Sequence, residues 1–129
     1  MHTCQRLTYK DAYREAVRAG LKVSPAVLQS AAKRRTYEDL EARANRARAT
    51  ADCAAWRVFQ NQTAPFYGAY KAAEGSHDPF YDKLAVAWHA LDRATDKAWA
   101  SFEKAQIRTL RAYQDETAAA FFAAMSASQ

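Results

Sequence analysis

From Pro79 to residue 129 the chain contains no further glycine or proline, and its large apolar residues recur every eleven positions. Trp88, Trp99, Leu110 and Phe121 form one row; Phe80, Leu91, Phe102 and Tyr113 form a second. Eleven residues make three turns of about 3.67 residues each, so both rows stay on one stripe of a nearly straight α-helix. A strand, with its period of two, cannot carry this pattern. The spacing predicts one helix over 79–125, roughly 65–70 Å long at 1.5 Å per residue. Asp78-Pro79 supplies its start, an N-cap followed by proline at the first helical position. Ala87, Ala94, Ala98, Ala105 and Ala112 flank the stripe on one side.

The rest of the chain reads as helix as well. Alanine makes up close to a quarter of the 129 residues, while glycine and proline number three each. Alanine costs least in a helix, and few breakers interrupt the chain. Thr8 and Asp11 have capping-box spacing, Tyr9, Ala12, Tyr13, Ala16 and Val17 share a face, and Gly20 can provide a left-handed stop. A first helix over 9–19 follows. Ser24-Pro25 starts a second, expected over 25–35. Thr36 and Asp39 look like a third capping pair. From there Tyr37, Leu40, Ala44, Ala47, Ala51, Ala54 and Val58 step by three and four in a heptad seam, giving a helix over 37–62. Pro65 opens a short helix over 65–74, stopped by Gly75. The expectation is an all-α, single-domain bundle of about five helices with a very long C-terminal helix.

Net charge is +5 and the pI about 9.4, a mild pointer to a polyanionic partner. The densest basic run, Lys33-Arg34-Arg35, falls at the end of the expected second helix, where cations also offset the helix dipole. On the long helix Arg93, Lys97, Lys104, Arg108 and Arg111 share one outer sector, spaced to follow a phosphate backbone or to form a solvated face. On another flank His89, Asp92 and Asp96 have spacing for a divalent metal, but no second histidine matches it. This acidic flank, with Asp78 and Glu103, is expected either to pair with arginines such as Arg43, Arg46 or Arg57 on a neighbouring helix or to be a solvated face, and no metal site is assigned. Pro-Phe-Tyr occurs twice, at 65–67 and 79–81. Phe66, Tyr67, Tyr70 and Tyr81 therefore form either an aromatic contact patch or the staple of a bundle corner.

Catalytic signatures are missing: there is no Gly-rich phosphate loop, CxxC, HExxH or GxSxG. No catalytic residue and no cofactor are expected. Cys4 and Cys53 lack metal or redox spacing, and their pairing is open. No segment is apolar enough to span a membrane or resembles a signal peptide, so a cytoplasmic protein is the default. Residues 9–35 partly resemble a helix-turn-helix, with Ala16 and Gly20 at the right spacing. Its second helix starts late, and Gln29 falls on a core position. The expected function is that of a non-catalytic helical binding protein acting on a protein partner, of the kind a bacterium or phage uses as an accessory inhibitor or adaptor. The alternative is nucleic-acid binding through the 9–35 unit and the basic helix faces. Homodimerisation through the long helix is a third expectation.

Overall fold

The computed structural model describes residues 6–76 and 82–126. Every regular element among them is helical: α1 (Tyr9–Arg18), a 3-10 turn (Pro25–Gln29), α2 (Ala31–Glu74) and α3 (Asp82–Ser126). The all-α expectation and the long last helix hold. The count of five helices does not, since three α-helices and one 3-10 turn stand in their place. The expected start of the last helix at Asp78-Pro79 lies outside the described residues.

α1 is bounded as its sequence dictates. Thr8 Oγ accepts from the Asp11 N–H, and the Asp11 carboxylate accepts from the Thr8 N–H, each at 3.1 Å. At the other end Gly20 has φ +97°, and the Leu21 N–H bonds the Ala16 carbonyl at 2.9 Å while the Gly20 N–H bonds Val17. This pair of bonds is a Schellman stop, and it requires the left-handed residue that glycine supplies.

The expected helix over 25–35 is instead split. Ser24 caps a five-residue 3-10 turn that ends at Ser30, whose backbone is extended (φ −80°, ψ 107°). Ser30 then caps α2, its Oγ accepting from the Lys33 N–H at 3.3 Å. Lys33, Arg34 and Arg35 therefore lie in the first turns of α2, not at a helix C-terminus.

The expected breaks at Thr36 and Pro65 are absent. Thr36 Oγ donates to the Ala32 carbonyl inside the helix and caps nothing. Pro65 lies within α2 at the cost of one backbone hydrogen bond. Phe59 and Tyr70, on either side of it, both pack on α3 aromatics and hold the helix through the interruption.

The heptad seam holds only at the start of α2: Tyr37 and Ala44 are buried and Leu40 is half-buried, but Ala47, Ala51, Ala54 and Val58 are exposed. Along the whole helix it is Tyr37, Arg48, Phe59 and Tyr70 that face inward, each eleven residues from the last. Glu41, Asp52 and Thr63 run beside them at the same interval. Both long helices thus share the eleven-residue repeat, and they pack antiparallel: Arg48 faces Tyr113, Phe59 faces Phe102, and Tyr70 meets Trp88.

The chain forms two compact units, residues 1–50 with 108–129, and residues 51–107. In the first, α1 covers the helix pair. Tyr9, Ala12, Tyr37, Ala120, Phe121 and Ala124 are buried together, with Tyr13, Ala16, Val23, Leu28, Leu40 and Met125 packed around them. Among the described residues the second unit is a helix pair alone, and only Ala98 and Phe102 are buried in it.

Candidate functional site: an exposed aromatic face in the second unit

All three tryptophans of the chain, Trp56, Trp88 and Trp99, lie in the second unit. The two helices contribute matching pairs. Trp56 precedes Phe59 by three residues on α2, and Trp99 precedes Phe102 by three on α3. Residues three apart on a helix are neighbours, so each indole lies beside the phenylalanine of its own helix. Trp56 stacks on Phe59 (5.0 Å, 14°) and meets Phe102 edge-on (5.5 Å); Trp99 contacts Phe102 (5.4 Å) and Phe59 edge-on (5.7 Å). One repeat away Tyr70 packs on Trp88 at 5.7 Å.

The phenylalanines are turned in and the indoles are left at the surface. Trp56 and Trp99 are each 43% exposed and Trp88 50%. An aromatic cluster with its inner members packed and its tryptophans half in water has the composition found at interface hot spots. Of the expected aromatic patch, Phe66 and Tyr67 are exposed, while Tyr70 is half-buried against Trp88. They lie within a continuous helix, so they staple no corner there. Tyr81 lies outside the described residues. In the sequence the eleven-residue pattern marks Trp88 and Trp99 as core, and Trp56 falls in neither row.

The carboxylates beside this face are exposed and unpaired. Asp92 follows Trp88 by four residues, Glu103 follows Trp99 by four, and Asp96 precedes Trp99 by three. The expected pairing with Arg43, Arg46 or Arg57 is absent: the ion pairs among the described residues are Arg6–Glu41, Arg18–Glu15 and Lys71–Glu74. No group of three His, Cys, Asp or Glu converges as metal ligands among the described residues.

The basic candidates divide. Lys33 is half-buried, and its ammonium donates to the Ala124 and Met125 carbonyls at 3.4 and 3.2 Å. It places a cation at the negative end of α3. Arg34 donates to the Leu28 carbonyl at 3.2 Å and lies over the Tyr9 ring at 5.7 Å. Lys33 therefore serves the fold, while Arg34, with its bond to Leu28, and Arg35 are both exposed. Arg93, Lys97 and Lys104 are exposed in the second unit, and Arg108 and Arg111 in the first.

A polar cluster in the first unit had no signature in the sequence. Glu41, 5% exposed, accepts from Tyr113 Oη at 2.6 Å and from both arms of the Arg6 guanidinium, the Nε bond measuring 3.0 Å. Tyr113 Oη in turn accepts the Leu7 N–H at 2.7 Å, and Tyr37 Oη donates to the Leu7 carbonyl at 2.6 Å. Burial alone would raise the Glu41 carboxyl, but the bonds from Arg6 and Tyr113 outweigh it and hold the group below its ordinary value. Burial, with the bond to Glu41, pushes the Tyr113 phenol up to about 12. The cluster fixes Arg6 and Leu7 on the helix pair and leads α1 onto the core. Each of its groups is occupied by another, so it is a structural lock.

Comparison of the chain with protein-family profiles, with curated proteins and with solved structures finds no match. No helix among the described residues is long and apolar enough to cross a membrane. Cys53 carries a free, exposed thiol; Cys4 lies outside the described residues.

Proposed function

We propose that the protein is a non-catalytic helical binding protein that engages a protein partner through the aromatic face of its second unit, as an inhibitor or adaptor would. The observation that carries this reading is the three half-exposed tryptophans on a helix pair with no covering element among the described residues. Indoles bring large, rigid contact area at little conformational cost, and most of an interface's binding energy comes from a few such residues. The test compares proteins recovered from the source cell on the immobilised wild-type chain and on a Trp56→Ser/Trp99→Ser variant whose helicity is checked by circular dichroism. A partner retained by the first and lost by the second is the expected outcome. An identical set on both would remove the reading.

The second reading, nucleic-acid binding, draws on the exposed cations. Its 9–35 unit is weakened by the five-residue 3-10 turn where a second helix was expected, and by the engagement of Lys33 and Arg34 within the fold. Arg93, Lys97 and Lys104 remain available to phosphates. A salt series on duplex DNA decides it: phosphate contacts would give an affinity that falls steeply with salt and weakens when these three become alanine. Absence of binding at low salt would sink this reading.

A further inference from the structure

The repeat supplies an internal template for what the aromatic face accepts. Phe121 holds on α3 the repeat position that Trp99 holds two repeats earlier and Trp88 three. Phe121 is 1% exposed, because Tyr9 and Tyr13 of α1 lie on it at 5.9 and 6.4 Å. α1 is an amphipathic helix: Tyr9, Ala12, Tyr13 and Ala16 meet the core, and Lys10, Arg14 and Arg18 line another face. At Trp99 the same position has no such cover among the described residues and is 43% exposed.

Charge distinguishes between occupants. The tryptophan row of α3 is bordered by the unpaired Asp92, Asp96 and Glu103. On α2 the positions equally placed about Trp56 are Cys53 and Gln60, which carry no charge to answer them. A second copy laid face to face would therefore bring no cation from these two α2 positions to answer the carboxylates. Residues 51–107 hold six Lys and Arg against seven Asp and Glu, so this part is slightly acidic in a chain of net +5. The complementary occupant is apolar along one stripe and positive along its edge.

We propose that the aromatic face of the second unit binds a basic amphipathic helix of a partner protein, its apolar stripe on Trp56, Trp88 and Trp99 and its Lys or Arg edge against Asp92, Asp96 and Glu103. The proposal rests on the binding-protein reading above and names the partner's chemistry. It is a helix-in-groove mode of recognition, in which apolar anchors give affinity and edge charges give selectivity.

The probe is a Trp-free, alanine-based peptide of about 20 residues, long enough to hold helix in water. It carries leucine at i, i+3, i+4 and i+7 and lysine along one edge, with a counterpart bearing glutamate in place of lysine. Indole emission of the protein comes only from this unit, so it reports occupancy directly. The lysine peptide should shift the emission to the blue and bind about tenfold or more tighter than the glutamate peptide at low salt, with the ratio shrinking as salt screens the edge charges. An Asp92→Asn/Asp96→Asn/Glu103→Gln variant should lose the preference while keeping its helicity and its apolar affinity. Equal binding of the two peptides, or no shift with either, would overturn the proposal. A blue shift that grows with protein concentration alone, with a dimer in sedimentation, would also overturn it in favour of a second copy. If both peptides fail while cellular capture still depends on Trp56 and Trp99, the basic helix falls and the binding face stands; if capture ignores the tryptophans, the binding-protein reading falls as well.

Discussion

The two units draw on the same two helices and the same repeat, yet one buries its aromatics and the other does not. Phe121 and Tyr37 are 1% exposed in the first unit, whereas Trp56 and Trp99 are 43% exposed in the second. The difference is a third element. A pair of helices can bury only the residues that face each other directly, and residues one step around the stripe need a further layer. In the first unit α1 provides that layer, positioned by its capping box, the Gly20 stop and the Glu41 cluster. The second unit has no such layer among the described residues. Side-chain size does not decide burial here, because the largest side chains of the chain are in the less buried unit.

Five measurements would break or sharpen this contrast. Phe121→Ala removes a fully buried ring and should cost about 3–5 kcal/mol in urea unfolding, whereas Trp99→Ala should cost about 1–2 kcal/mol despite the larger side chain. Equal costs would contradict the division. Glu41→Ala leaves the Tyr113 hydroxyl and Arg6 without their acceptor and should cost about 1–3 kcal/mol. The pH dependence carries a definite sign. The folded-state pKa of Glu41 lies below the ordinary 4.5, so its contribution is complete above that value and is lost as pH falls through the folded-state value. Glu41→Gln should flatten this acid limb, measured as unfolding midpoint against pH. Gly20→Ala places a Cβ on a backbone at φ +97° and should cost about 1 kcal/mol, read as a lower melting temperature. Hydrogen exchange gives the smallest effect per site and the widest view: amides of 37–44 and 113–124 should exchange more slowly than those of 56–70 and 88–99.

How much of this was legible depended on which residues occupied the inner stripe. On α3 the repeat is apolar, and its helix was readable almost to its described end. On α2 the same repeat passes through Glu41, Arg48 and Asp52, while Ala47, Ala51 and Ala54 lie outside. Hydrophobicity therefore pointed to a heptad that fails beyond Ala44. Arg48 is tolerated inside because its guanidinium lies over the Tyr113 ring at 4.3 Å and bonds Asn45 at 2.6 Å. The break at Pro65 failed for a different reason: packing on both sides of the proline outweighed a local preference. Ser24-Pro25 did start a helical turn, but Ser30 started the long helix five residues later. The exposed tryptophan face was hidden because burial depends on what lies opposite a residue, which its own helix does not encode.

The contacts that close the first unit join distant parts of the chain: Leu7 with Tyr113, separated by 106 positions, and Lys33 with Met125, separated by 92. The second unit's inner pair, Phe59 and Phe102, lies far closer in sequence. During synthesis the looser unit can therefore pair first. The better-packed one must wait until residues 113–125 have left the ribosome, with Tyr9 and Tyr37 uncovered in the interval. Loop closure over such separations is slow. The better-packed of the two units is thus the later one that a growing chain can complete.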